Sequence, residues 1–254
     1  MPNKSRPSGF GLIIIGTEIL DGRIQDRHFE NTAKILKAHS HPLKYSMILT
    51  DEAELILENL KWAMSRPEPF LCCGGIGSTP DDCTRQCATR AAGVPLEFHE
   101  EGLKILKSRI GWEVTEARMR LVEFPKGSRL VPNPVNQIPG FSIANGHFLP
   151  GFPSMAEPMT EWVLETYYER GEIRISRTLV LPGAREADLV PLMEAFIASH
   201  PDLSFSSLPK FVKGGTEVDL GIKGAPKNVE AGFRDLTAEL EKTGQKWEEK
   251  NADH

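Results

Sequence analysis

Basic surplus, cysteine and long apolar runs are what this chain has little of, and each shortage closes a class of function. Across 254 residues, 35 Asp and Glu outnumber 30 Lys and Arg, a formal charge of -5. Nucleic-acid backbones and anionic membranes call for the opposite sign, so neither is an expected partner. The four cysteines, Cys72, Cys73, Cys83 and Cys87, match no common zinc spacing and have no histidine pair beside them. They read as small core residues. The N-terminal apolar run covers only 12–15, too short for a signal-peptide core and without a small-residue cleavage site. A cytoplasmic protein with reduced thiols is therefore expected. Residues 130–156 carry no charge with His147 counted neutral, yet five prolines and three glycines there exclude a spanning helix. What remains is ordinary globular material, 40% apolar and 26% charged, long enough to bury a core without disulfides or metals.

The most informative stretch is 70–93, FLCCGGIGSTPDDCTRQCATRAAG. An apolar run passes through Gly74, Gly75 and Gly77 into the turn Ser78-Thr79-Pro80 and two carboxylates, Asp81 and Asp82. Cys83, Cys87 and Ala91 then recur every fourth residue, as on one face of a helix, and Gly93 stands at its C-terminal stop. Strand, glycine turn, helix start is how α/β proteins build anion sites. The glycines let backbone N–H groups approach a ligand, and the first helical turn presents unpaired donors and the positive end of its dipole. The adjacent carboxylates have two readings. Either they cap the helix, or they meet a phosphate through a bridging cation.

The chain before this stretch alternates strand and helix. Residues 11–15 read as a buried parallel strand, and a loop over 16–22 follows. Asp26 is a candidate cap for a helix with Phe29, Ala33 and Leu36 on one face. Leu43, Tyr45, Met47 and Leu49 alternate with polar residues as a strand does, and Ala53, Ile56, Leu57, Leu60 and Met64 predict a helix over 52–65. This order predicts an α/β fold, a mostly parallel sheet between two helical layers. Ligands of such sheets sit beyond the carboxyl ends of the strands, where Glu18, Asp21, Asp51, Asp81 and Asp82 are expected to converge.

Further on, 97–123 reads as helical with Leu103, Leu106 and Ile110 aligned and Gly111 as an interruption. Asn145-Gly146 signals a two-residue hairpin turn, and Pro150-Gly151-Phe152-Pro153 leads into a helix bearing Met155, Met159, Val163 and Thr166. From about 170 the pattern restarts as a β-α-β-β-α unit, which divides the chain into domains 1–169 and 170–254. Within the second, Lys213-Gly214-Gly215 reads as a hairpin turn, and the polar tail 246–254 is expected to fray.

Taken in order, these motifs resemble the molybdopterin-binding (MoaB/Mog-like) superfamily. They are most similar to the branch holding the N-terminal domain of competence/damage-inducible protein A and the molybdopterin-binding-like domain of eukaryotic FAD synthases. Gly16-Thr17-Glu18-Ile19-Leu20-Asp21-Gly22 looks like the family's Gly-Asp-Glu-Leu-Leu-x-Gly. Gln25-Asp26-Arg27-His28 looks like x-Asp-x-Asn, and Thr50-Asp51-Glu52 like a strand-end acidic pair. Gly74-Gly75-Ile76-Gly77-Ser78-Thr79-Pro80-Asp81-Asp82-Cys83-Thr84 matches Gly-Gly-Leu-Gly-Pro-Thr-x-Asp-Asp-x-Thr nearly throughout. Asn133-Pro134-Val135, Pro139-Gly140 and Leu149-Pro150-Gly151-Phe152-Pro153 are similar to its later loops.

The resemblance implies a metal-dependent pyrophosphatase for a dinucleotide such as ADP-ribose or FAD, and a homo-oligomer, dimer or trimer. It implies Asp82 and Asp51 in catalysis, with Asp82, Asp51, Asp81 and Glu18 around a divalent ion. Gly74, Gly75, Gly77, Ser78, Thr79, Asn133, Pro150 and Gly151 would hold a nucleotide or pterin. Carboxylates without histidine suit Mg²⁺ or Mn²⁺, with Co²⁺ a further candidate, better than zinc. Asp82 aligns with the superfamily's functional aspartate, which leaves Asp81 the larger structural share. Pterin binding or adenylyl transfer in molybdenum-cofactor assembly is the first alternative, and a non-catalytic ligand-binding protein the second. Thr17, His28, Ser78 and Asn136-Gln137-Ile138 depart from the family's Asp, Asn, Pro and Gly-Thr-Ala, and Thr17 is expected to weaken one metal contact. The last 80 or so residues look like the small α/β domain of short bacterial members. The nicotinamide-nucleotide amidase domain of full-length members is not reached, and that activity is expected to be absent.

Overall fold

All six residues of β1 (Phe10–Ile15) are buried, as an unbroken apolar run requires of a strand covered on both faces. The computed structural model describes residues 4–108, 113–213 and 215–250, in two units, 1–171 and 172–254. In the first unit β1 is followed by α1 (Thr17–Leu20), α2 (His28–Ala38), β2 (Leu43–Leu49), α3 (Ala53–Met64), β3 (Phe70–Cys73) and α4 (Thr84–Ala92). Next come β4 (Leu96–Phe98), α5 (Glu100–Ser108), α6 (Glu116–Met119), β5 (Glu123–Pro125), β6 (Arg129–Val131), β7 (Gly140–Ile143), β8 (Gly146–Leu149) and α7 (Pro153–Tyr167). The sheet order is β2-β1-β3-β8-β7-β6. Its first four strands are parallel neighbours, and β7 and β6 run antiparallel.

Alternation along the strands divides the core into two layers. Ile13, Ile15 and Cys72 pack with Leu60 of α3 and Cys87 of α4, whereas Leu12, Ile14 and Leu71 pack with Met159 and Val163 of α7. The sheet is thus mostly parallel and sandwiched between helices. No helix among the described residues is long and apolar enough to cross a membrane.

Four expectations change. Phe29 is 50% exposed, and the buried side of α2 is His28, Thr32 and Leu36. Apolar counting misses this face because its polar member is bonded: His28 Nε2–H donates to the Gly151 carbonyl at 3.1 Å. The helix expected over 97–123 is divided among β4, α5, α6 and β5. Its ends pair with each other as a two-stranded sheet, which helical geometry would forbid. Leu103 and Leu106 join the core; Ile110 and Gly111 lie outside the described residues. The hairpin turn falls on Ala144 and Asn145, because Ile143 pairs with Gly146.

The second unit comprises β9 (Ile175–Pro182), α8 (Glu186–Ser199), β10 (Ser204–Val212), β11 (Gly215–Gly224), α9 (Pro226–Lys242) and β12 (Glu248–Glu249). Its sheet, β10-β11-β9-β12, is antiparallel and buries Leu179, Val218 and Leu220 against Phe196 of α8 and Leu236 of α9. Val212 pairs with Gly215 across β10 and β11, where the sequence places a hairpin turn; Gly214 lies outside the described residues. Where described, at 246–250, the tail is held rather than frayed. Trp247 packs on the unit's core, β12 pairs with β9, and Lys250 Nζ donates to Asp219 at 3.2 Å. Residues 251–254 lie outside the described residues.

Candidate functional site

The loops that leave β1, β2, β3 and β8 at their carboxyl ends, with the starts of α2 and α7, enclose a cavity of about 770 Å³. Glu18, Asp51, Gly74, Gly75, Gly77, Ser78, Thr79, Asp81, Asp82, Asn133, Pro150 and Gly151 all line it. Asp21 does not converge with them. It is exposed and pairs with Arg23 at 3.4 Å.

Two glycines make the floor of this cavity. Gly74 and Gly75 have φ of 107° and 66°, and a Cβ on either would stand 2.2 Å from the Ile15 carbonyl oxygen or from Thr84 Oγ1. Both positions are closed to any side chain by conformation and by space. Behind the loop lies Arg85 of α4, fully buried. Its Nη2 donates to the Gly77 carbonyl at 2.7 Å, and its Nη1 to the carbonyls of Arg120 and Glu123. Burial draws this guanidinium below its usual pKa, against the pull of the Glu123 carboxylate 3.9 Å away.

The loop offers a ligand fewer donors than its sequence promises. The Gly74 N–H donates to Leu149 O at 3.0 Å, and the Thr79 N–H to Asp82 Oδ2 at 3.0 Å. That leaves the N–H groups of Gly75, Ile76, Gly77 and Ser78, which bond no acceptor among the described residues. The lining stops at Asp82 and does not reach the first turn of α4. The unbonded donors beside the cavity are therefore those of the loop, and not those of the helix N-terminus.

Neither aspartate of the adjacent pair caps α4, whose N-cap is Cys83 with no side-chain hydrogen bond. Asp82 Oδ2 instead accepts from both the N–H and the hydroxyl of Thr79, which ties the turn to itself. Asp82 thus makes structural hydrogen bonds of its own. Asp81 is exposed, and the neighbouring Thr79 side chain and its own backbone N–H draw its carboxyl below the ordinary range.

Thr17 proves to be a partner of Asp51. Its N–H and hydroxyl donate to Asp51 Oδ2 at 2.9 and 2.8 Å, and its Oγ1 accepts the Asp51 N–H at 3.0 Å. An aspartate in place of Thr17 would set two like charges at hydrogen-bond distance. Glu18 folds back over Gly16, where a Cβ would lie 3.0 Å from Oε1.

Several lining residues were not anticipated as site members: Asp26, Arg27, His28, Asn136, Phe152 and Met155. The first three sit inside the Gln25-Asp26-Arg27-His28 motif, which was the available signal. Asp26 does cap α2, accepting the N–H groups of His28 and Phe29 at 2.9 and 3.0 Å. Among the described residues Arg27 is the only guanidinium in the lining, against the carboxylates of Glu18, Asp26, Asp51, Asp81 and Asp82. Asn133 Oδ1 accepts from the N–H of Val135 and Asn136 and so shapes the opposite wall. Phe152, 65% exposed, adds an apolar rim with Ile138 and Met155.

Residues 11–170 match the family described as probable molybdopterin binding domain. A protein of Pyrobaculum arsenaticum is 31% identical over 213 residues, covering 80% of each chain. A CinA-like protein of Citrifermentans bemidjiense is 33% identical over 211 residues, 79% of this chain and 50% of that one. The chain thus spans about half the length of such CinA-like relatives. Among solved structures, CinA of Thermoplasma acidophilum, described as of unknown function, aligns with a TM-score of 0.57. That alignment covers 63% of this chain and 98% of that one at 24% identity, a likeness of fold.

Proposed function

The chain belongs to the probable molybdopterin binding domain family, in its CinA-like branch, and from that premise we propose that its cavity hydrolyses a dinucleotide pyrophosphate such as ADP-ribose or FAD with the help of a divalent cation. One observation carries the reading: a glycine loop with four open N–H groups shares its cavity with five carboxylates and a single guanidinium. Two like charges 4 Å apart near a protein surface repel by about 4 kcal/mol. A pyrophosphate therefore needs a cation beside it here.

The donor set fits a hard cation such as Mg²⁺ or Mn²⁺. Asp51 and Asp82 each commit Oδ2 to a threonine and keep Oδ1 without a hydrogen bond among the described residues, and Glu18 and Asp81 line the same cavity. When bound, such an ion would neutralise pyrophosphate charge and acidify an attacking water. The chain supplies the rest. The open N–H groups of 75–78 bind phosphate oxygens, and Arg27 takes the charge that remains. Thr17 and Thr79 fix the two aspartates, and Arg85 holds the Gly77 carbonyl so that the loop does not yield. Phe152 and Ile138 offer the nucleoside an apolar face.

A second reading, pterin binding, draws on the carboxamides of Asn133 and Asn136 beside Phe152 and Met155 in the same cavity. Calorimetry with molybdopterin against ADP-ribose separates the two. For the first reading the measurement is AMP release from ADP-ribose and FAD with Mg²⁺, Mn²⁺ and Co²⁺ in turn. Asp82→Asn keeps an acceptor for Thr79 and removes the charge, so turnover should fall about 100-fold, a usual loss for one electrostatic contact to developing charge. Absence of turnover in the wild-type protein, or undiminished turnover in Asp82→Asn, would overturn the reading.

A further inference from the structure

The two helices that open on the cavity, α2 and α7, share a second cluster far from it. His39, just past the end of α2, is 5% exposed, and its Nε2 lies 3.6 Å from Glu161 Oε2. The ligating atoms of His39, Glu161 and Glu165 all lie within 4.8 Å of one another. Glu161 and Glu165 stand one turn apart on α7, a spacing at which like charges destabilise a helix. Neither has a lysine or arginine ion pair among the described residues, although Lys4 and Arg170 line a hollow shared with His39 and Glu165. Arg170 is turned to the Ala38 carbonyl at 3.0 Å. The ring of His39 makes no hydrogen bond among the described residues and faces the Glu161 carboxylate across 3.6 Å. A simple His39–Glu161 ion pair accounts for one carboxylate and leaves the second unexplained.

We propose that His39, Glu161 and Glu165 bind a divalent transition-metal ion of the Zn²⁺ class, which clips α2 to α7. One imidazole with two carboxylates is a donor set for Zn²⁺ more than for Mg²⁺. Bonds of about 2.0 to 2.2 Å draw tetrahedral ligand atoms to about 3.4 Å apart. The exposed glutamates supply that contraction by changing rotamer, while the buried imidazole stays in place. The site is separate from the cavity. His28 begins α2 and His39 follows its last residue, about 16 Å further along at 1.5 Å per residue. The clip therefore braces two helices whose first turns hold the cavity wall, and it takes no part in chemistry there.

The test is a calorimetric titration of the chelator-stripped 254-residue chain with Zn²⁺, repeated with Co²⁺ to read its visible absorption. The Asp51→Asn/Asp82→Asn protein should still take up one equivalent of Zn²⁺, since its cavity carboxylates are not the ligands. Glu165→Gln, a surface change, should weaken that uptake by about tenfold or more, and Glu161→Gln/Glu165→Gln should abolish it together with the Co²⁺ bands. No uptake by the Asp51→Asn/Asp82→Asn protein would overturn the proposal, as would unchanged affinity in Glu165→Gln that is folded by circular dichroism.

Discussion

Arg85 shows how a single residue sets the candidate site without touching a ligand. Its guanidinium is buried with its Nε unpartnered, and it bonds three carbonyls from two distant segments. Arg85→Met keeps the side-chain bulk and leaves those carbonyls without donors, each such loss being worth roughly 1 to 3 kcal/mol. A fall in urea stability of about 3 kcal/mol is expected, and Arg85→Lys should not restore it, because an ammonium lacks the planar fork. A loss below 1 kcal/mol in Arg85→Met would show that the loop does not depend on it. No motif announces this residue: a polar side chain in the first turn of a helix reads as solvent-facing, and two of its three partners lie in 120–123, where the sequence pattern predicts helix. Thr17 was visible as a departure, but its sense was not. Only the fold brings it within hydrogen-bond distance of Asp51, 34 positions away.

Elements with a full period of apolar residues are legible: β1, β2, α3, β3 and α4 fall within a few residues of where their patterns place them. The failures share a cause. β4 and β5 are three residues each, too short for a period to show, and they exist because they pair with each other. The β7–β8 hairpin is displaced by one residue for a comparable reason. Asn145 sits in the turn and its side-chain amide donates to the carbonyls of Ala63, Arg66 and Glu68 at 2.9 to 3.2 Å, which fastens the hairpin to the end of α3. Asn145→Ala should therefore destabilise the chain by about 2 to 3 kcal/mol. Asn145→Asp, isosteric but unable to donate, should be worse, since it sets a carboxylate against three carbonyls. Chemical denaturation of both variants decides this, and equal tolerance of Asp and Ala would mean that the turn geometry alone fixes the register.

At the scale of the whole molecule the two units should answer acid differently. His147 in the first unit is buried between the Ser142 hydroxyl, 2.8 Å from Nδ1, and the Tyr168 hydroxyl, 2.6 Å from Nε2. Both partners donate or accept, so a neutral ring is satisfied in either tautomer. Burial, with the nearby Arg129 charge, pushes its pKa down to about 3, and burial lowers His41 as well. An unfolded histidine titrates near 6.5, roughly. Between those values the unfolded chain binds more protons than the folded one, and stability rises with pH. The contribution of His147 is thus complete above about pH 6.5 and is lost as pH falls towards 3, at about 1.4 kcal/mol per unit. In the second unit, burial would raise the Asp219 carboxyl, but hydrogen bonds from Lys210 and Lys250 outweigh it and hold the group below the usual range. That contribution persists until the pH drops below the ordinary carboxyl value of about 3.9. From pH 7 to 4.5 the first unit should lose about 2 to 3 kcal/mol through His147 alone, while the second holds. The four tryptophans include one in the second unit, Trp247, so fluorescence of Trp247→Phe in urea follows the first unit by itself. Its midpoint should fall with acid, and adding His147→Gln should flatten the slope. A midpoint that stays put from pH 7 to 4.5, or equal slopes with and without His147→Gln, would show that the buried ring is not what makes this unit acid-sensitive.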